Sequence, residues 1–463
     1  MSNKKQWLIF SIILLLAVAL RLIGYRYLED SLGTIDTITY LDTAKVDFPS
    51  IEFFKQVRPA TIPLIYKLFR PHSGYMLDVI SNPSVTGGEK LPTLQPSFVN
   101  LIICQIAMSI LGWSTLALVM FHRLKQPAIK IISAISVLLF GFTPQMADWD
   151  FLLMSESLSF SLYATLIALT IELAFSLGEQ VEKISWKPFL WVGFIFPLSI
   201  LWTFTRDTNA YLILVSICVL IVLLIFTFWR KTIPSGPLIL SLLLTCGLFF
   251  FHQTTFQASP RWLLPLLNNL TTNVFPYPSR VAFFESKGMP ISPELLSLRG
   301  PAEYNGIYEY KEFIEWIKSN GFNAYTEFLI RTPIWAAQSF YRDLEFVFLL
   351  NRQWYFEDSY SGHPSWLIPL GNILHPLSSS VLLIDLLLTL LIIGMALQFH
   401  TVHNNTWAVI AVWLFISGAV LLAAGYFGEV RSVQRHALAG TVPLRLSLWL
   451  MFAIVADLSL SQK

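Results

Sequence analysis

Long apolar runs separated by short polar connections dominate the chain. A helix needs about 20 mainly apolar residues to cross the hydrocarbon core of a bilayer. Ten runs approach or reach that length. They are Trp7–Tyr25, Phe98–Phe121, Ile129–Gln145, Leu158–Leu177, Pro188–Phe204, Thr208–Trp229, Pro237–Thr255, Val381–Leu397, Trp407–Phe427 and Ala437–Asp457. The pattern therefore predicts an all-α polytopic membrane protein with about ten transmembrane helices.

Two connections are much longer than the rest and mix apolar with charged residues. The first, residues 26–97, contains Ser50–Arg70, whose pattern is typical of a helix lying in the membrane interface. The second, residues 256–380 between the seventh and eighth helices, is rich in Trp, Tyr, Pro and charge, and its Ile307–Ser319 predicts an amphipathic helix. We expect three parts: a first transmembrane part (1–255), an outer segment (256–380) and a second transmembrane part (381–463).

Composition supports a membrane location. Hydrophobic residues make up 55% of the 463 positions and charged residues only 13%, with a mean hydropathy of +0.60. Soluble domains carry roughly twice that share of charge, so lipid must cover much of the surface. The net charge of +2 gives no sign of nucleic-acid binding. The 3 cysteines lie in apolar runs and show neither a disulfide framework nor metal-ligand spacing.

The distribution of Lys and Arg predicts the orientation, because short cytoplasmic connections are enriched in both. With the N-terminus inside, nine basic residues fall in cytoplasmic segments and three in short outer ones. The cytoplasmic group is Lys4, Lys5, Arg123, Lys125, Lys130, Lys183, Lys187, Arg230 and Lys231, and the outer group is Arg206, Arg431 and Arg435. We therefore expect both termini in the cytoplasm and a multi-pass protein of a bacterial plasma membrane.

Charged residues at the ends of the spans collect on the face that this topology places outside. They are Asp36 in the first outer connection, Asp148, Asp150 and Glu156 in the second, Arg206 and Asp207 in the third, and Glu429, Arg431, Arg435 and His436 in the last. Any one of them alone is more often a snorkelling or helix-capping residue. Convergence of the whole set from four connections favours a site.

Carboxylates and arginines at the level of the lipid headgroups suit a substrate that is part lipid and part phosphate. Carboxylates act as general bases or hold divalent ions, and arginine pairs with phosphate through a planar charged fork. A sugar linked to a polyprenyl phosphate is such a substrate. A carboxylate would deprotonate the acceptor hydroxyl, and arginines would stabilise the departing lipid phosphate. Asp148-Trp149-Asp150 has the spacing of a D-x-D metal motif, a weak signal that leaves a divalent metal ion open.

Four short motifs occupy the outer connections. They are Gly33-Thr34-Ile35-Asp36-Thr37-Ile38-Thr39-Tyr40, Arg58-Pro59-Ala60-Thr61-Ile62-Pro63-Leu64, Asp148-Trp149-Asp150 with Met154-Ser155-Glu156-Ser157, and Glu429-Val430-Arg431-Ser432-Val433-Gln434-Arg435-His436. In these motifs and in its topology the chain resembles the GT-C membrane glycosyltransferases, such as protein O-mannosyltransferases and the lipid A aminoarabinose transferase. It departs from them in having a lone Asp36 instead of an acidic pair and Arg58 where Lys is common.

The resemblance implies a glycosyltransferase that moves a hexose or pentose from a polyprenyl-phosphate donor. The acceptor would be a glycan, lipid or protein on the non-cytoplasmic face. Asp36 and Asp150 are the candidate catalytic carboxylates. The candidate substrate-binding residues are Tyr40, Arg58, Asp148, Glu156, Arg206, Asp207, Glu429, Arg431, Arg435 and His436. We expect Asp36, Arg58, Glu156, Arg206 and Arg435 to meet around one outer cavity.

Two other classes of protein stay open. One is a transporter or flippase of lipid-linked glycans, which usually has polar residues near the membrane midplane and inverted repeats. Here the charges lie mainly at the outer edge and no repeat is seen, which favours the enzyme. The other is a ligase or polymerase of glycans, or a non-catalytic assembly subunit. Ligases also join lipid-linked sugars outside, so the sequence separates them poorly from transferases.

Overall fold

Helices account for nearly all of the regular structure in the computed structural model, which describes residues 2–25, 31–69, 74–77, 93–179, 186–230, 235–302 and 305–461. The first half of the chain contains α1 (Asn3–Ile23), α2 (Ile35–Ala44), α3 (Ile51–Phe54), α4 (Thr61–Leu68), α5 (Val99–Arg123), α6 (Pro127–Phe142), α7 (Pro144–Ala147), α8 (Glu156–Glu179), α9 (Lys187–Thr203), α10 (Ala210–Arg230) and α11 (Ser235–Gln257). Short 3₁₀ turns occupy Pro96–Phe98, Asp148–Phe151 and Asp207–Asn209.

The second half begins with a segment of short helices and ends with three long ones. The short helices are α12 (Leu263–Asn269), α13 (Pro278–Glu285), α14 (Pro293–Ser297), α15 (Lys311–Trp316), α16 (Phe322–Arg331), α17 (Pro333–Phe348), α18 (Asp358–Ser361) and α19 (Leu367–Leu374). A 3₁₀ turn at Ile307–Glu309 and π turns at Leu270–Val274 and Ile317–Gly321 join some of them. The long helices are α20 (Ser380–Phe399), α21 (Val402–Gly428) and α22 (Val433–Ser461).

Ten of these helices coincide with the ten predicted spans, which confirms the predicted fold class. Eight helices in the described residues are long and apolar enough to cross a membrane. A ninth candidate is α6 together with Pro144–Phe151, which bends away from it by 43° and forms either a broken span or a re-entrant loop. The tenth, α9, is apolar but only 17 residues long. The predicted orientation of the termini stays a prediction, and Lys183 and Lys231 lie outside the described residues.

The first long connection contains the short helices that its amphipathic pattern predicts, although Ser50–Arg70 is divided between α3 and α4 and Arg70 lies outside the described residues. Residues 55–60 separate the two helices and include Arg58-Pro59, where proline disfavours helical geometry in the residue before it. Thr61 anchors α4 to the end of α9 by donating from its N–H to the carbonyl of Phe204 (3.0 Å). The two-residue strands β1 (Leu32–Gly33) and β2 (Thr93–Leu94) pair antiparallel at the edge of this region.

Close packing of α21 against α22 determines the position of the last connection, which joins these two helices. A Cβ on Gly440 would lie 2.1 Å from the backbone nitrogen of Leu422, and one on Gly425 would lie 2.7 Å from the carbonyl oxygen of His436. Small residues of this kind let two membrane helices approach at backbone distance. The tight approach fixes the turn between the helices, where Ser432 adopts a left-handed φ of 50°.

The outer segment has an apolar cluster of its own, formed in part by Leu267, Phe284 and Phe328. It is joined to the membrane helices by Asn269, whose side-chain amide donates to the carbonyls of Phe427 (3.2 Å) and Gly428 (3.1 Å). These are terminal carbonyls of α21, which lack helical partners. The segment therefore caps the helix that leads into the last connection.

Candidate functional site

A series of ion pairs links residues of the first and last connections. Asp36 accepts from Nη2 of Arg58 through Oδ1 and from Nη1 of Arg435 through Oδ2, both at 2.6 Å. Nε of Arg435 donates to Oε1 of Glu156 (2.8 Å), and Nη1 of Arg206 lies 3.5 Å from the same oxygen. The structure thus brings together the five residues that the sequence placed around one site. We call these five residues the arginine network.

Local sequence explains how Asp36 and Arg58 are presented. Thr34 precedes α2 as its N-cap and donates from its N–H to Oγ1 of Thr37 (2.8 Å), which starts the helix and leaves Asp36 in its first turn. Thr39 lies three residues after Asp36 and therefore on the same face. Its Oγ1 accepts from Nε of Arg58 at 2.6 Å.

The charge balance of the arginine network is positive. Three guanidinium groups (Arg58, Arg206 and Arg435) face two carboxylates (Asp36 and Glu156), which leaves one positive charge in excess. Burial alone would raise the pKa of Asp36, but the adjacent guanidinium groups of Arg435 and Arg58 outweigh it and hold that pKa well below its usual range. Asp36 is therefore ionised at neutral pH.

The network borders a cavity of about 500 Å³. Its polar lining includes Tyr40, Arg58, Ser155, Arg206, Arg435 and His436. Its apolar lining includes Phe256, Leu266, Phe322, Leu329, Val420 and Ala423. Asp36 and Glu156 bind the arginines but do not line this cavity. The cavity therefore combines a cationic wall with an apolar wall along α21, α16 and the end of α11.

Two of the predicted carboxylates line the cavity elsewhere. Asp207 lies 3.2 Å from Nε2 of His252 and 3.5 Å from Nε of Arg261. Glu429 accepts from Nδ2 of Asn268 (3.1 Å) and from the backbone N–H of Arg431 (2.9 Å). Burial raises the pKa of Glu429 to about 7, against the opposing effect of these two hydrogen bonds.

The second connection places its two aspartates differently. Asp150 is bound by Nη2 of Arg21 and by Oγ of Ser157, at 2.8 and 2.5 Å. Asp148 accepts two hydrogen bonds from Arg352, at 2.7 and 3.0 Å. Both aspartates are fully buried and neither lines the cavity. The structure does not bring them together with the arginine network, and the candidate roles of Asp150 in catalysis and Asp148 in substrate binding stay predictions that these contacts do not favour.

Sequence reasoning did not single out the partners of these aspartates. Arg21 lies inside the first apolar run, and a charge at such a position signals a buried acidic partner. That signal was present in the sequence. Arg352 and His363, whose Nδ1 lies 3.7 Å from Asp148, come from the outer segment and had no comparable signal. Asn268 also lies in that segment, and only its fold brings it to Glu429.

The two remaining candidates, His436 and Arg431, differ in their position relative to the cavity. His436 lines the cavity beside Arg435, whereas Arg431 contributes its backbone amide to Glu429 and its side chain is not part of the lining. Within the described part of the chain, no three His, Cys, Asp or Glu side chains are grouped so that they could hold a metal ion.

The solved structures that align with this chain include two of oligosaccharyltransferases. The crystal structure of an oligosaccharyltransferase from Archaeoglobus fulgidus in the apo form aligns with a TM-score of 0.44 and 11% identity over 97% of this chain. The archaeal oligosaccharyltransferase AglB from the same organism, in complex with an inhibitory peptide and a dolichol-phosphate, aligns with a TM-score of 0.42 and 10% identity over 96% of this chain. The chain spans 50% of the length of each.

No protein-family model and no curated protein matches the sequence. At the identities and TM-scores of the two structures, the likeness carries no argument about activity. Any assignment of activity must therefore rest on the site itself.

Proposed function

We propose that this protein is a membrane glycosyltransferase that transfers a sugar from a polyprenyl-phosphate donor to an acceptor on the non-cytoplasmic face. The observation that carries the proposal is a cavity in which the three arginines of the network meet an apolar wall. The acceptor would be a glycan, a lipid or a protein. The family resemblance of the four sequence motifs supports the same reaction.

The cationic wall suits the donor phosphate. Arginine pairs with phosphate through parallel, charge-assisted hydrogen bonds. The network has one positive charge in excess, and the buried Nη1 of Arg206, 3.5 Å from Oε1 of Glu156, has no hydrogen-bond partner among the described residues. A phosphate placed here would balance the charge. Arg58 and Arg435 would then be shared between Asp36 and the phosphate.

The apolar wall suits the lipid part of the donor. Val420, Ala423 and Ala424 line the cavity along the last turns of α21, and Leu266 and Leu329 face it from the outer segment. Burying apolar surface contributes about 25 cal/mol per Å², so several isoprene units in contact with such a wall would add substantially to affinity. The phosphate would be held at the headgroup level while the prenyl chain follows α21.

The arginines can also act in the chemical step. As the bond between the sugar and the phosphate breaks, negative charge grows on the departing lipid phosphate. Preorganised positive groups that face this charge lower the barrier, because they need no rearrangement during the reaction. Asp36 and Glu156 fix the guanidinium groups of Arg58 and Arg435, so we assign both carboxylates to positioning the arginines.

Two charged residues within the predicted spans, Arg445 and Asp385, have structural hydrogen-bond partners. Arg445 donates to the carbonyls of Phe348 (2.7 Å), Leu350 (3.0 Å) and Pro376 (2.9 Å). Asp385 accepts from Oγ of Ser447 at 2.6 Å. Arg445 is thus held by backbone carbonyls of the outer segment and Asp385 by a hydroxyl of α22, which favours the transferase over a transporter of lipid-linked glycans.

The test is donor consumption by purified full-length protein in lipid nanodiscs. The donors are undecaprenyl-phosphate-linked glucose, galactose, mannose and arabinose, with an extract of bacterial membranes as the source of acceptor. Arg58→Ala should weaken binding of undecaprenyl phosphate about 10- to 100-fold, since a hydrogen bond to a charged group contributes about 1.5–3 kcal/mol. Arg58→Lys keeps the charge without the fork and should recover part of the loss.

Lys55→Ala is the matched control, because Lys55 is a basic residue of the same connection that pairs with Glu52 and does not line the cavity. It should bind undecaprenyl phosphate as the wild type does. Equal losses in Arg58→Ala and Lys55→Ala would mean that nonspecific charge binds the lipid. If no donor is consumed, the proposed transferase activity is wrong.

The orientation is tested by cysteine labelling in a variant whose three native cysteines are replaced by alanine. Arg299→Cys should react with an impermeant reagent only from outside, and Lys125→Cys only from the cytoplasm. Both positions are exposed. Labelling of both from one side would contradict the proposed topology and with it the non-cytoplasmic location of the site.

A further inference from the structure

The carboxylates around the cavity differ in their partners. Asp36 and Glu156 bind the arginines of the network and do not line the cavity. Asp207 lines it but faces His252 and Arg261. Glu429 lines it too, and among the described residues no Lys, Arg or His side chain lies within ion-pair distance of its carboxylate. Glu429 is thus a cavity carboxylate held by neutral donors.

The neutral donors orient Glu429. Nδ2 of Asn268 lies 3.1 Å from Oε1 and 3.4 Å from Oε2, and the N–H of Arg431 donates to Oε1 at 2.9 Å. The amide of Asn268 is itself oriented, because its Oδ1 accepts from the N–H of Ala302 at 2.9 Å. The carboxylate is therefore fixed by backbone and amide groups that carry no charge, and Oε2 has the fewer contacts.

We infer that Glu429 is the general base of the transfer proposed above, on which this inference rests, and that it takes the proton from the acceptor hydroxyl. In the step, the acceptor oxygen forms a bond to the anomeric carbon while the bond from that carbon to the phosphate oxygen breaks. The polyprenyl phosphate leaves with the electron pair, towards the arginines. The acceptor proton passes to Oε2 of Glu429.

The electrostatics of Glu429 fit this role better than those of Asp36. A general base works best when its pKa lies near the operating pH. The pKa of Glu429 is raised to about 7 by burial, whereas the two arginines hold the pKa of Asp36 well below its usual range. Asp36 would be a weak base, and both of its oxygens already accept from guanidinium groups.

The groups that face Glu429 come from several elements. Burial raises the pKa of the Tyr325 phenol in α16, and the nearby Tyr426 and Glu429 raise it further. Arg431 belongs to the same connection. Across the cavity lie Arg58, Arg206, Arg261, Arg435, His252, His436 and Asp207. Each of those arginines has a carboxylate partner in Asp36, Glu156 or Asp207, and among the described residues none of them pairs with Glu429.

The test compares single-turnover donor consumption by wild type, Glu429→Gln and Glu429→Asp between pH 5 and 9. The wild-type rate should rise with pH through about 7, because the ionised form is the active one. Glu429→Gln should lose that rise and react about 10²–10⁴-fold more slowly at pH 8. Glu429→Asp keeps a carboxylate and should retain the rise at a reduced rate. Binding of undecaprenyl phosphate should be unchanged in all three, which shows that the cavity is folded.

Glu312→Gln is the matched control, since Glu312 is an exposed carboxylate of the outer segment that does not line the cavity. It should react as the wild type does. A Glu429→Gln variant with the wild-type rate and pH profile would overturn the assignment while leaving the proposed transferase intact. A wild type that consumes no donor would overturn both.

Discussion

The arginine network around Asp36 and the pair formed by Arg21 and Asp150 use the same kinds of side chain in different surroundings. The side chains of Asp36 and Arg58 retain 22% and 26% of their exposure, whereas those of Arg21 and Asp150 retain 0% and 2%. An ion pair beside a cavity can exchange one partner for a ligand. A sealed pair cannot, because no ligand reaches it.

Charge balance separates the two regions as well. Arg21 and Asp150 neutralise each other, and Ser157 occupies the other oxygen of the carboxylate. The network has three arginines for two carboxylates, so it attracts an anion. The comparison shows that an aspartate in a motif acquires a role from its exposure and its partners, and that residue type alone does not assign one.

The largest effect, on stability, should come from breaking the buried ion pair between Arg21 and Asp150. Arg21→Ala leaves the Asp150 carboxylate buried without a counter-ion, which typically costs about 3–5 kcal/mol. We expect a marked fall in the thermal unfolding temperature of the purified protein. The double variant Arg21→Met, Asp150→Leu removes both charges and should recover much of the loss. If Arg21→Ala is as stable as the wild type but inactive, the pair belongs to the catalytic machinery and the comparison fails.

A smaller effect is expected at Asp36. Asp36→Asn keeps the shape of the side chain but loosens Arg58 and Arg435, so turnover should fall about tenfold, or about 1.4 kcal/mol of barrier. The rise of the rate with pH should persist, because Glu429 is unchanged. Single-turnover rates from pH 5 to 9 measure both quantities. If the rate of Asp36→Asn no longer rises with pH, the general base is Asp36 and not Glu429.

The smallest effect should come from a third kind of pair, the exposed one between Lys45 and Asp42, at 2.7 Å. Exposed ion pairs contribute about 0–1 kcal/mol, since water screens them and both side chains lose freedom. Lys45→Ala should therefore leave the unfolding temperature, undecaprenyl phosphate binding and turnover close to wild type. A large change in any of these three quantities would mean that the contribution of an ion pair depends on its proximity to Asp36 and not on its exposure.

The architecture could be predicted from the sequence because it depends on length and hydropathy. Each backbone polar group in a bilayer must be satisfied within its own helix, so an apolar run of about 20 residues has essentially one structure available. Even α9, which is short, and the bent span that begins with α6 were located by their apolar runs. The interfacial helices of the first connection followed from their mixed pattern in the same way.

The convergence of five charged residues could also be predicted, since topology alone places the ends of alternate helices on one face. The sequence could not predict which carboxylates line the cavity. Asp148 and Asp150 have the spacing of a D-x-D motif, a weak signal of a site, yet Arg352 and Arg21 pair with them in the interior. That outcome depends on how α1 and the outer segment pack against the second connection.

The sequence by itself therefore determined which apolar runs form the long helices and which kinds of charged side chain stand at their ends. Only the tertiary structure decided which arginine pairs with which acid, and that Glu429 is held by the neutral amides of Asn268 and Arg431. The physical reason is the separation along the chain of the residues that interact. Hydropathy acts on each helix separately and is written in consecutive residues, whereas an ion pair or an unpaired carboxylate depends on ångström distances between residues far apart in the chain.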